Sequence, residues 1–407
     1  MKCRHCTHTL QHVFLDLGFA PPSNAYLSFE QLKKPELYFP LKLFVCEKCW
    51  LVQTEDFAQA DELFSSTYAY FSSISKGWLA HAAAYSAMIT EKLALDENSL
   101  VIEVAANDGY LLKNFVASGI PCIGIEPTLS TAIAAEALNI PIIKEFFGYD
   151  FAQTLVADNK QADLIVGNNV FAHVPDINDF TQGLRAALKP SGTITLEFPH
   201  LLQLLNKNQF DTVYHEHFSY LSLYSVKQIF SLAGLKVFDV EELVTHGGSL
   251  RVYACHENDT RTTSTAVDEI LKAESANGMR ELKVYQEFQE RADNVKNSML
   301  NFLIEQHDKG AKVAAYGAAA KGCTLLNYAG VKPDLLSYVC DAAPSKQGGF
   351  LPGSHIPIFP PNVIAEQKPN YVIILPWNIQ TEVMEQLSYI RDWGGKFVVA
   401  VPELRVM

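Results

Sequence analysis

The densest group of titratable side chains in this 407-residue chain lies in residues 209–220. Tyr214, His215, Glu216 and His217 follow one another there. An imidazole titrates near neutral pH and a neighbouring carboxylate or phenol can orient it, so the segment predicts general base catalysis. If the segment is extended, His215 and His217 lie on one face and Tyr214 and Glu216 on the other. Two other roles stay open: a metal site completed by ligands from elsewhere, or a hydrogen-bonded histidine in the core.

Two cysteine pairs of the form Cys-x2-Cys stand in the first fifty residues, Cys3 with Cys6 and Cys46 with Cys49. Each pair can present two thiolates from one tight turn, and four thiolates match the tetrahedral coordination of Zn²⁺. All four sulfurs would be ligands, which leaves no open position for a reacting molecule. The pattern therefore predicts a structural Zn²⁺ in a small domain and places the chemistry elsewhere in the chain.

Strand and helix patterns must position the candidate residues. Apolar runs predict four strands, with helical patterns between them, at SLVIEV, CIGIEP, ADLIVGNN and GTITLEFP. Such alternation indicates a parallel, doubly wound sheet. Two further strands are predicted as an antiparallel pair at the sheet edge, LKVFDVEEL and SLRVYAC. Residues 261–309 predict one or two long helices. The alternation restarts at KVAAYGAAAKGC and ends at KFVVAVP, so we expect a second, smaller Rossmann-like unit.

The turn after the first of these strands covers residues 103–109, and ligands of open α/β sheets bind at this position. The dinucleotide pattern G-x-G-x-x-G is absent. The turn instead resembles motif I of class I S-adenosylmethionine-dependent methyltransferases, E-x-G-x-G-x-G, because Glu103 ends the strand and Gly109 closes the turn. Ala105 and Asn107 occupy the first two glycine positions of that motif.

Polar residues also end the next two strands. Glu126, followed by Pro127, ends the second strand, where a carboxylate can accept both hydroxyls of an adenosine ribose. An ordinary solvated acid is the alternative. Asn168 and Asn169 end the third strand, where the methionyl part of the cofactor would lie, and turn formation is their alternative role. These positions predict S-adenosylmethionine as the cofactor.

Lys321 lies in GAAAKG at a predicted helix start. Backbone amides and an ammonium group there could bind a phosphate of a substrate, and a solvated lysine is the alternative. A P-loop would need Gly-Lys-Ser/Thr, whereas Gly322 and Cys323 follow Lys321, so an ATPase is not expected.

The composition of the chain argues against several classes of function. A hydrophobic fraction of 48% indicates a globular chain, and a net charge of −13 without a basic run argues against nucleic-acid binding. No run approaches about 18 apolar residues and the N-terminus lacks a signal-peptide pattern, so we expect no membrane span. A thiolate metal site together with four scattered cysteines predicts a reducing cytoplasm. These four are Cys122, Cys255, Cys323 and Cys340.

Several long strings, in order along the whole chain, resemble the sugar C-methyltransferases of deoxysugar biosynthesis. They are the four-cysteine module, QFDTVYHEHFSYLSL, HGGSLRVY, AYGAAAKGCTLLNYAG and LPWN. The resemblance implies C-methylation next to the ketone of a nucleotide-diphosphate-linked 4-keto-deoxyhexose, most simply at carbon 3. It implies His217 as the general base, with Tyr214 and Glu216 beside it. It also implies active-site roles for His173 and Tyr68, with Tyr70 competing for the role of Tyr68 as a substrate contact.

The α/β fold class that follows has three domains. Residues 1–66 form the zinc-binding domain, with short strands near residues 41–45 and 51–53. Residues 67–255 form the class I methyltransferase domain, and residues 256–407 form the smaller α/β domain, which we expect to bind substrate. We expect a monomer or weak dimer. Two alternatives remain: O- or N-methylation of a small metabolite, and a non-catalytic zinc-stapled binding protein. The residues do not distinguish the sugar, the methylated carbon or the nucleotide.

Overall fold

A computed structural model describes residues 1–55 and 71–407, so the predicted active-site residues Tyr68 and Tyr70 lie outside the described part of the chain. Within that part the strands form three sheets. The first is antiparallel and has the order β1-β2-β3-β9. Its strands are β1 (His12–Ala20), β2 (Phe39–Val45), β3 (Val52–Thr54) and β9 (Ser219–Tyr220). The sequence predicted β2 and β3 and missed β1.

The second sheet, with the order β10-β11-β8-β7-β4-β5-β6, is parallel except for β11, which runs antiparallel to both neighbours. Its strands are β4 (Val101–Val104), β5 (Cys122–Ile125), β6 (Ile142–Ile143), β7 (Ala162–Asn168), β8 (Leu188–Pro199), β10 (Leu235–Leu243) and β11 (Ser249–His256). The predicted antiparallel pair at the edge is therefore present as β10 and β11.

The helices of this region connect and flank the second sheet. They are α1 (Lys76–Leu93), α2 (Leu112–Ala117), α3 (Leu129–Glu136), α4 (Tyr149–Ala157), α5 (Ile177–Ala187), α6 (Leu201–Asn206) and α7 (Leu223–Leu232). Their ends follow local chemistry, since the Ser75 side chain accepts a hydrogen bond from the Trp78 amide and begins α1. Ala94 ends α1 in a left-handed conformation with φ of 49°.

Three helices, rather than the predicted one or two, follow the second sheet: α8 (Thr265–Ala276), α9 (Leu282–Gln286) and α10 (Phe288–Asp308). A turn at Gly278, with φ of 72°, separates α8 from α9. Helix α8 packs on β10, whereas α9 and α10 pack on β1. This linker therefore ties the first sheet to the rest of the chain.

The third sheet, with the order β14-β13-β12-β15-β16-β17, is parallel except for its last strand. Its strands are β12 (Val313–Tyr316), β13 (Val339–Cys340), β14 (Ile358–Phe359), β15 (Tyr371–Ile374), β16 (Lys396–Val399) and β17 (Arg405–Val406). Its helices are α11 (Ala320–Tyr328), α12 (Asn362–Gln367) and α13 (Gln380–Gln386). None of the helices in the described ranges combines the length and apolarity that crossing a bilayer requires.

The sulfur atoms of the four predicted metal ligands lie within 4.8 Å of one another. The Cys3 and Cys49 sulfurs are 3.5 Å apart, as are those of Cys6 and Cys46. Four sulfurs at about 2.3 Å from one tetrahedral Zn²⁺ would be about 3.8 Å apart, so the cluster fits the ion. Among the described residues no other group of three or more candidate ligands is this close, so the alternative metal site at His215 and His217 finds no support.

The zinc cluster also docks on the second sheet's helices. His5 Nδ1 lies 2.8 Å from Asn178 Oδ1 on α5, and Gln228 on α7 donates to the Cys49 carbonyl at 3.1 Å. Three of the four cysteines belong to the same buried apolar cluster as β4, β7 and β8. Loss of the metal should therefore disturb more of the structure than the four-cysteine cluster itself.

We expect Cys46→Ser to lose Zn²⁺ and unfold the N-terminal sheet, because structural zinc contributes on the order of 10 kcal/mol of folding free energy. Metal content by elemental analysis and limited proteolysis within residues 1–55 measure the two effects. Cys122→Ser is the matched control, since Cys122 is buried outside the cluster. A folded, metal-free Cys46→Ser protein with full activity would contradict a structural role for the metal.

Candidate active site

A cavity of about 650 Å³, here called the central cavity, opens where β4, β5 and β7 end. The carboxyl ends of parallel strands are the usual ligand site of such sheets. Its lining extends from Glu126 on the second sheet to Lys321 on α11, so one space joins two of the three sheets. The predicted site residues that line it are Ala105, Asn107, Glu126, Pro127, Asn168, Asn169, His173, Tyr214, Glu216, His217 and Lys321.

Glu126 shapes the end of the central cavity at β5. Its two carboxylate oxygens accept hydrogen bonds from the backbone amides of Asn107, at 2.8 Å, and Thr128, at 2.9 Å. The side chain is 4% exposed and lines the cavity. A carboxylate oxygen has lone pairs beyond the one each amide uses, so Glu126 can still accept hydroxyl groups of a ligand.

The turn that resembles motif I adopts left-handed backbone conformations at all three motif positions. The φ angles are 60° at Ala105, 49° at Asn107 and 76° at Gly109. A Cβ on Gly109 would lie 2.4 Å from Ile140 Cδ1, so that position also lacks room for a side chain. The turn therefore has the shape that glycines favour, although only one glycine is present.

Glu103 is the last but one residue of β4 and is not part of the cavity lining. It is fully buried, and burial raises the pKa of its carboxyl well above the usual value, an effect that the nearby carboxylates of Glu126 and Asp108 increase. Its predicted contact with a cofactor stays a prediction. Because Glu103 lies outside the cavity lining, we expect it to affect ligand binding only through the shape of the turn.

Asn168 and Asn169 present polar atoms that suit a cofactor. The Oδ1 atoms of both are buried and have no hydrogen-bond partner among the described residues. Buried acceptors without partners are costly unless a ligand supplies a donor. The residues present thus fit the ammonium group of a methionyl moiety, and their nitrogens are used elsewhere: Asn168 Nδ2 donates to the Tyr110 hydroxyl, at 3.4 Å.

Residues 214–217 form a turn, so the predicted extended arrangement with two faces is wrong. The His217 amide donates to the Tyr214 carbonyl at 3.0 Å, which closes the turn. As a result Tyr214, Glu216 and His217 all line the cavity. His215 instead points away, with Nε2 3.3 Å from the Phe39 carbonyl.

Three aromatic rings meet at the centre of the cavity. The ring centroids of Tyr214 and His217 are 4.0 Å apart, and those of His173 and His217 are 4.5 Å apart. Burial lowers the pKa of His173 to about 4. Burial, and then the neighbouring His173, lower the pKa of His217 well below its usual value. Both imidazoles are therefore neutral near pH 7 and can accept a proton.

Glu216 is held by a residue of the N-terminal region. Asn24 Nδ2 donates to Glu216 Oε2 at 2.6 Å, and burial raises the pKa of the Glu216 carboxyl to about 7. The backbone carbonyl of Glu216 accepts from His173 Nδ1 at 2.7 Å. Asn24 could not be predicted as a site residue, because its partner Glu216 lies 192 positions away along the chain.

Lys321, on α11, adds an ammonium group to the cavity lining. Its Nζ donates to Asn378 Oδ1 at 2.6 Å and lies 4.6 Å from the centroid of the Trp377 ring. Burial lowers the pKa of Lys321 to about 8, and the nearby Asp211 opposes that shift. A second ammonium group, that of Lys346, also lines the cavity and was not predicted.

His246 is a further lining residue to which the sequence assigned no role. It lies in HGGSLRVY, and its Nε2 is 2.9 Å from Asn169 Nδ2. The Trp78 ring packs against it edge-on, with 5.2 Å between centroids. His246 therefore contacts Asn169, the residue after β7, and lines the same cavity as His173 and His217.

Family models match three consecutive parts of the chain. A putative zinc binding domain matches residues 3–64, a methyltransferase domain matches residues 78–240, and a C-methyltransferase C-terminal domain matches residues 244–402. The first match contains all four clustered cysteines, and the second contains Glu126, His173 and His217.

Two solved structures are similar to less than half of this chain. The PH0226 protein of Pyrococcus horikoshii OT3 is 16% identical, with a TM-score of 0.37, and the match covers 46% of this chain and 95% of that one. Magnesium protoporphyrin IX methyltransferase of Synechocystis PCC 6803 is 13% identical, with a TM-score of 0.33, covering 43% and 79%. Likeness at this level is too distant to inform function.

A relative similar over the whole length is the C-methyltransferase NovU of Streptomyces niveus. It is 33% identical over 406 residues, which are 100% of this chain and 96% of that protein. This relation and the methyltransferase domain make the chain an S-adenosylmethionine-dependent methyltransferase with a zinc-binding domain, which removes the non-catalytic alternative. The chain belongs to the sugar C-methyltransferase family that its motifs predicted.

Proposed function

We propose that this C-methyltransferase acts on a nucleotide-diphosphate-linked 4-keto-deoxyhexose and methylates the carbon next to the ketone, carbon 3. One observation carries the proposal: Glu126, the neutral imidazoles and two ammonium groups all line the central cavity. S-adenosylmethionine supplies the methyl group when it is bound. The protein must bind an anionic sugar nucleotide beside it and remove a proton from carbon.

His217 is the proposed base. A neutral imidazole always has one nitrogen that can accept a proton, and the nearby backbone carbonyl of Thr212 acts against the lowering of the His217 pKa. The α-proton passes to that nitrogen, and the C–H electron pair moves into an enolate. Although burial makes the resting imidazole a weak base, the enolate and imidazolium form together in a site of low dielectric and attract each other strongly.

Lys321 and Lys346 are the proposed contacts of the diphosphate. Both line the central cavity, Lys321 on α11 and Lys346 after β13. The Lys346 ammonium donates to the Ala318 carbonyl at 2.8 Å and lies 3.8 Å from Asp341 Oδ2. Diphosphate oxygens would favour the charged form of Lys321, whose pKa burial lowers to about 8. These two ammonium groups support a nucleotide-diphosphate substrate in a chain whose net charge is −13.

O- or N-methylation of a small metabolite, the alternative reaction, does not require a base that removes a proton from carbon. A panel of nucleotide-linked 4-keto-deoxyhexoses, with thymidine or guanosine diphosphate, would be incubated with enzyme and cofactor and the products analysed by mass spectrometry and NMR. The proposal expects a new carbon–carbon bond at carbon 3. A product methylated on oxygen or nitrogen, or no product from any member, contradicts the proposed substrate and reaction.

We expect Glu126→Ala to weaken S-adenosylmethionine binding by about 1.5–3 kcal/mol, the scale of hydrogen bonds to a charged group. Isothermal titration with the cofactor measures the change. Glu126→Gln, which keeps the size of the side chain but loses the charge, should give an intermediate loss. The affinity for the sugar nucleotide should stay the same. Unaltered cofactor affinity in Glu126→Ala would make Glu126 an ordinary strand-end acid.

We expect His217→Asn to keep the fold and both ligand affinities and to lose about 10²–10⁴-fold in turnover, the typical contribution of a positioned base. The direct measurement is exchange of the substrate's α-hydrogen for deuterium in D₂O, with the demethylated cofactor bound. Wild-type enzyme should catalyse the exchange and His217→Asn should not.

The matched control for this variant is His215→Asn, since His215 lies outside the central cavity. Tyr214→Phe should keep part of the exchange if the phenol only assists. Exchange and methyl transfer at wild-type rates in His217→Asn would move the base to another residue, and His173 would then be tested in the same way.

A further inference from the structure

Three imidazoles line the central cavity, and their hydrogen bonds divide them into two kinds. A neutral imidazole carries one N–H donor and one acceptor nitrogen, so a fixed partner on one nitrogen determines the role of the other. His173 Nδ1 is 2.7 Å from the Glu216 carbonyl, which can only accept. In His173 the N–H is therefore used, and the remaining nitrogen is an acceptor.

His246 has the opposite arrangement. Its Nε2 lies 2.9 Å from the amide nitrogen of Asn169, which can only donate, so Nε2 is the acceptor and the ring proton is on Nδ1. Nδ1 has no partner among the described residues, and it is not among their buried unsatisfied atoms. Because the ring lines the cavity, this N–H is available to a ligand. Burial lowers the pKa of His246 to about 4 and keeps the ring neutral.

The backbone that carries His246 is strained and held in place. The φ angle of His246 is 53°, a left-handed value that is unusual for a residue other than glycine. A Cβ on Gly247 would lie 2.5 Å from the Trp377 ring, which presses on this loop. Before it, Thr245 Oγ1 donates to Glu197 Oε1 at 2.8 Å, and Glu197 is fully buried. Strain that the surroundings maintain is typical of functional positions.

We propose that His246 is a catalytic hydrogen-bond donor, whose Nδ1–H binds the ketone oxygen of the substrate and stabilises the enolate. The assignment rests on the proposed function. His246 contacts Asn169 and lines the same cavity as His217 and Lys321, so it can reach a substrate that binds between the cofactor and the base. A neutral imidazole can serve as such a donor in enzymes that form enolates.

The proton balance follows from these roles. The α-proton moves from carbon to the acceptor nitrogen of His217, and the negative charge appears on the ketone oxygen. His246 keeps its proton and donates a hydrogen bond to that oxygen. When the carbon attacks the methyl group, the carbonyl re-forms and the S–CH₃ bond would break with its electron pair going to sulfur, so the negative charge of the enolate and the positive charge of the sulfonium cancel. The proton on His217 then leaves to solvent, so the enzyme returns to its starting state.

The test compares two variants of equal shape. His246→Asn keeps an N–H donor near the position of Nδ1, whereas His246→Asp offers only acceptors when ionised, and both residues tolerate the left-handed backbone. We expect His246→Asp to lose about 10²–10³-fold in kcat, as removal of one oxyanion donor does, and His246→Asn to stay within about tenfold of wild type. Deuterium exchange at the α-carbon should follow the same order, and cofactor affinity should stay unchanged in both.

A third variant avoids the charge of Asp. His246→Gly removes the ring and relaxes the strained backbone, so it should fold and be slow, and added imidazole should restore part of the exchange. Equal losses in His246→Asn and His246→Asp, or wild-type exchange in His246→Asp, would overturn the donor role.

The tautomer can be measured without any substrate. In protein with ¹⁵N-labelled histidine, the signals that vanish in His246→Asn should show the proton on Nδ1 of wild-type His246. A proton on Nε2 would overturn the assignment. If wild-type enzyme methylates no keto-sugar nucleotide, the proposed function fails, while this NMR result still decides which nitrogen of His246 is the donor.

Discussion

Residues 213–217 include the turn at residues 214–217, and side chains from three separate parts of the chain hold them in place by hydrogen bonds. The candidate site depends on that arrangement. Thr324 on α11 donates to the Val213 carbonyl at 2.7 Å. Asn24, from the N-terminal region, and His173, from the second sheet, bind opposite parts of Glu216. A short turn has few hydrogen bonds of its own, so these contacts determine its shape. The base, the carboxyl and the phenol can therefore meet only when all three parts of the chain are packed together.

The same packing buries the titratable side chains and thereby sets their charges. Burial lowers the pKa of the imidazoles, raises the pKa of the Glu216 carboxyl to about 7 and lowers that of Lys321 to about 8. A resting site with few full charges costs less to bury. In the proposed mechanism, the charges that form when the α-proton moves would be screened poorly by these surroundings, so each hydrogen bond to the enolate would have a large effect. The neutral imidazoles and the raised pKa of Glu216 thus have the same cause.

The sequence predicted the features that depend on residues close to one another along the chain. Apolar runs predicted six of the seven strands of the second sheet, including the pair β10 and β11, and missed the two-residue strand β6. Cysteine spacing predicted the cluster of four sulfurs. Strand β1 was missed because bulges interrupt its pairing with β2 and disturb the alternation along it. The faces of residues 214–217 were wrong because a turn, and not the assumed extended chain, is formed there. Contacts such as that of His246 with Asn169, 77 positions away, have no local signal.

The motif I turn shows why a missing glycine need not mean a lost site. Its function depends on backbone shape, and Asn is the residue after glycine that enters the left-handed region most easily. The Asn107 side chain also accepts from the Ser72 amide at 3.0 Å, while its own amide donates to Glu126. These two bonds offset the cost of the left-handed conformation that a glycine would avoid. In this chain the Glu126 carboxylate, which lines the central cavity, therefore also maintains the turn beside it.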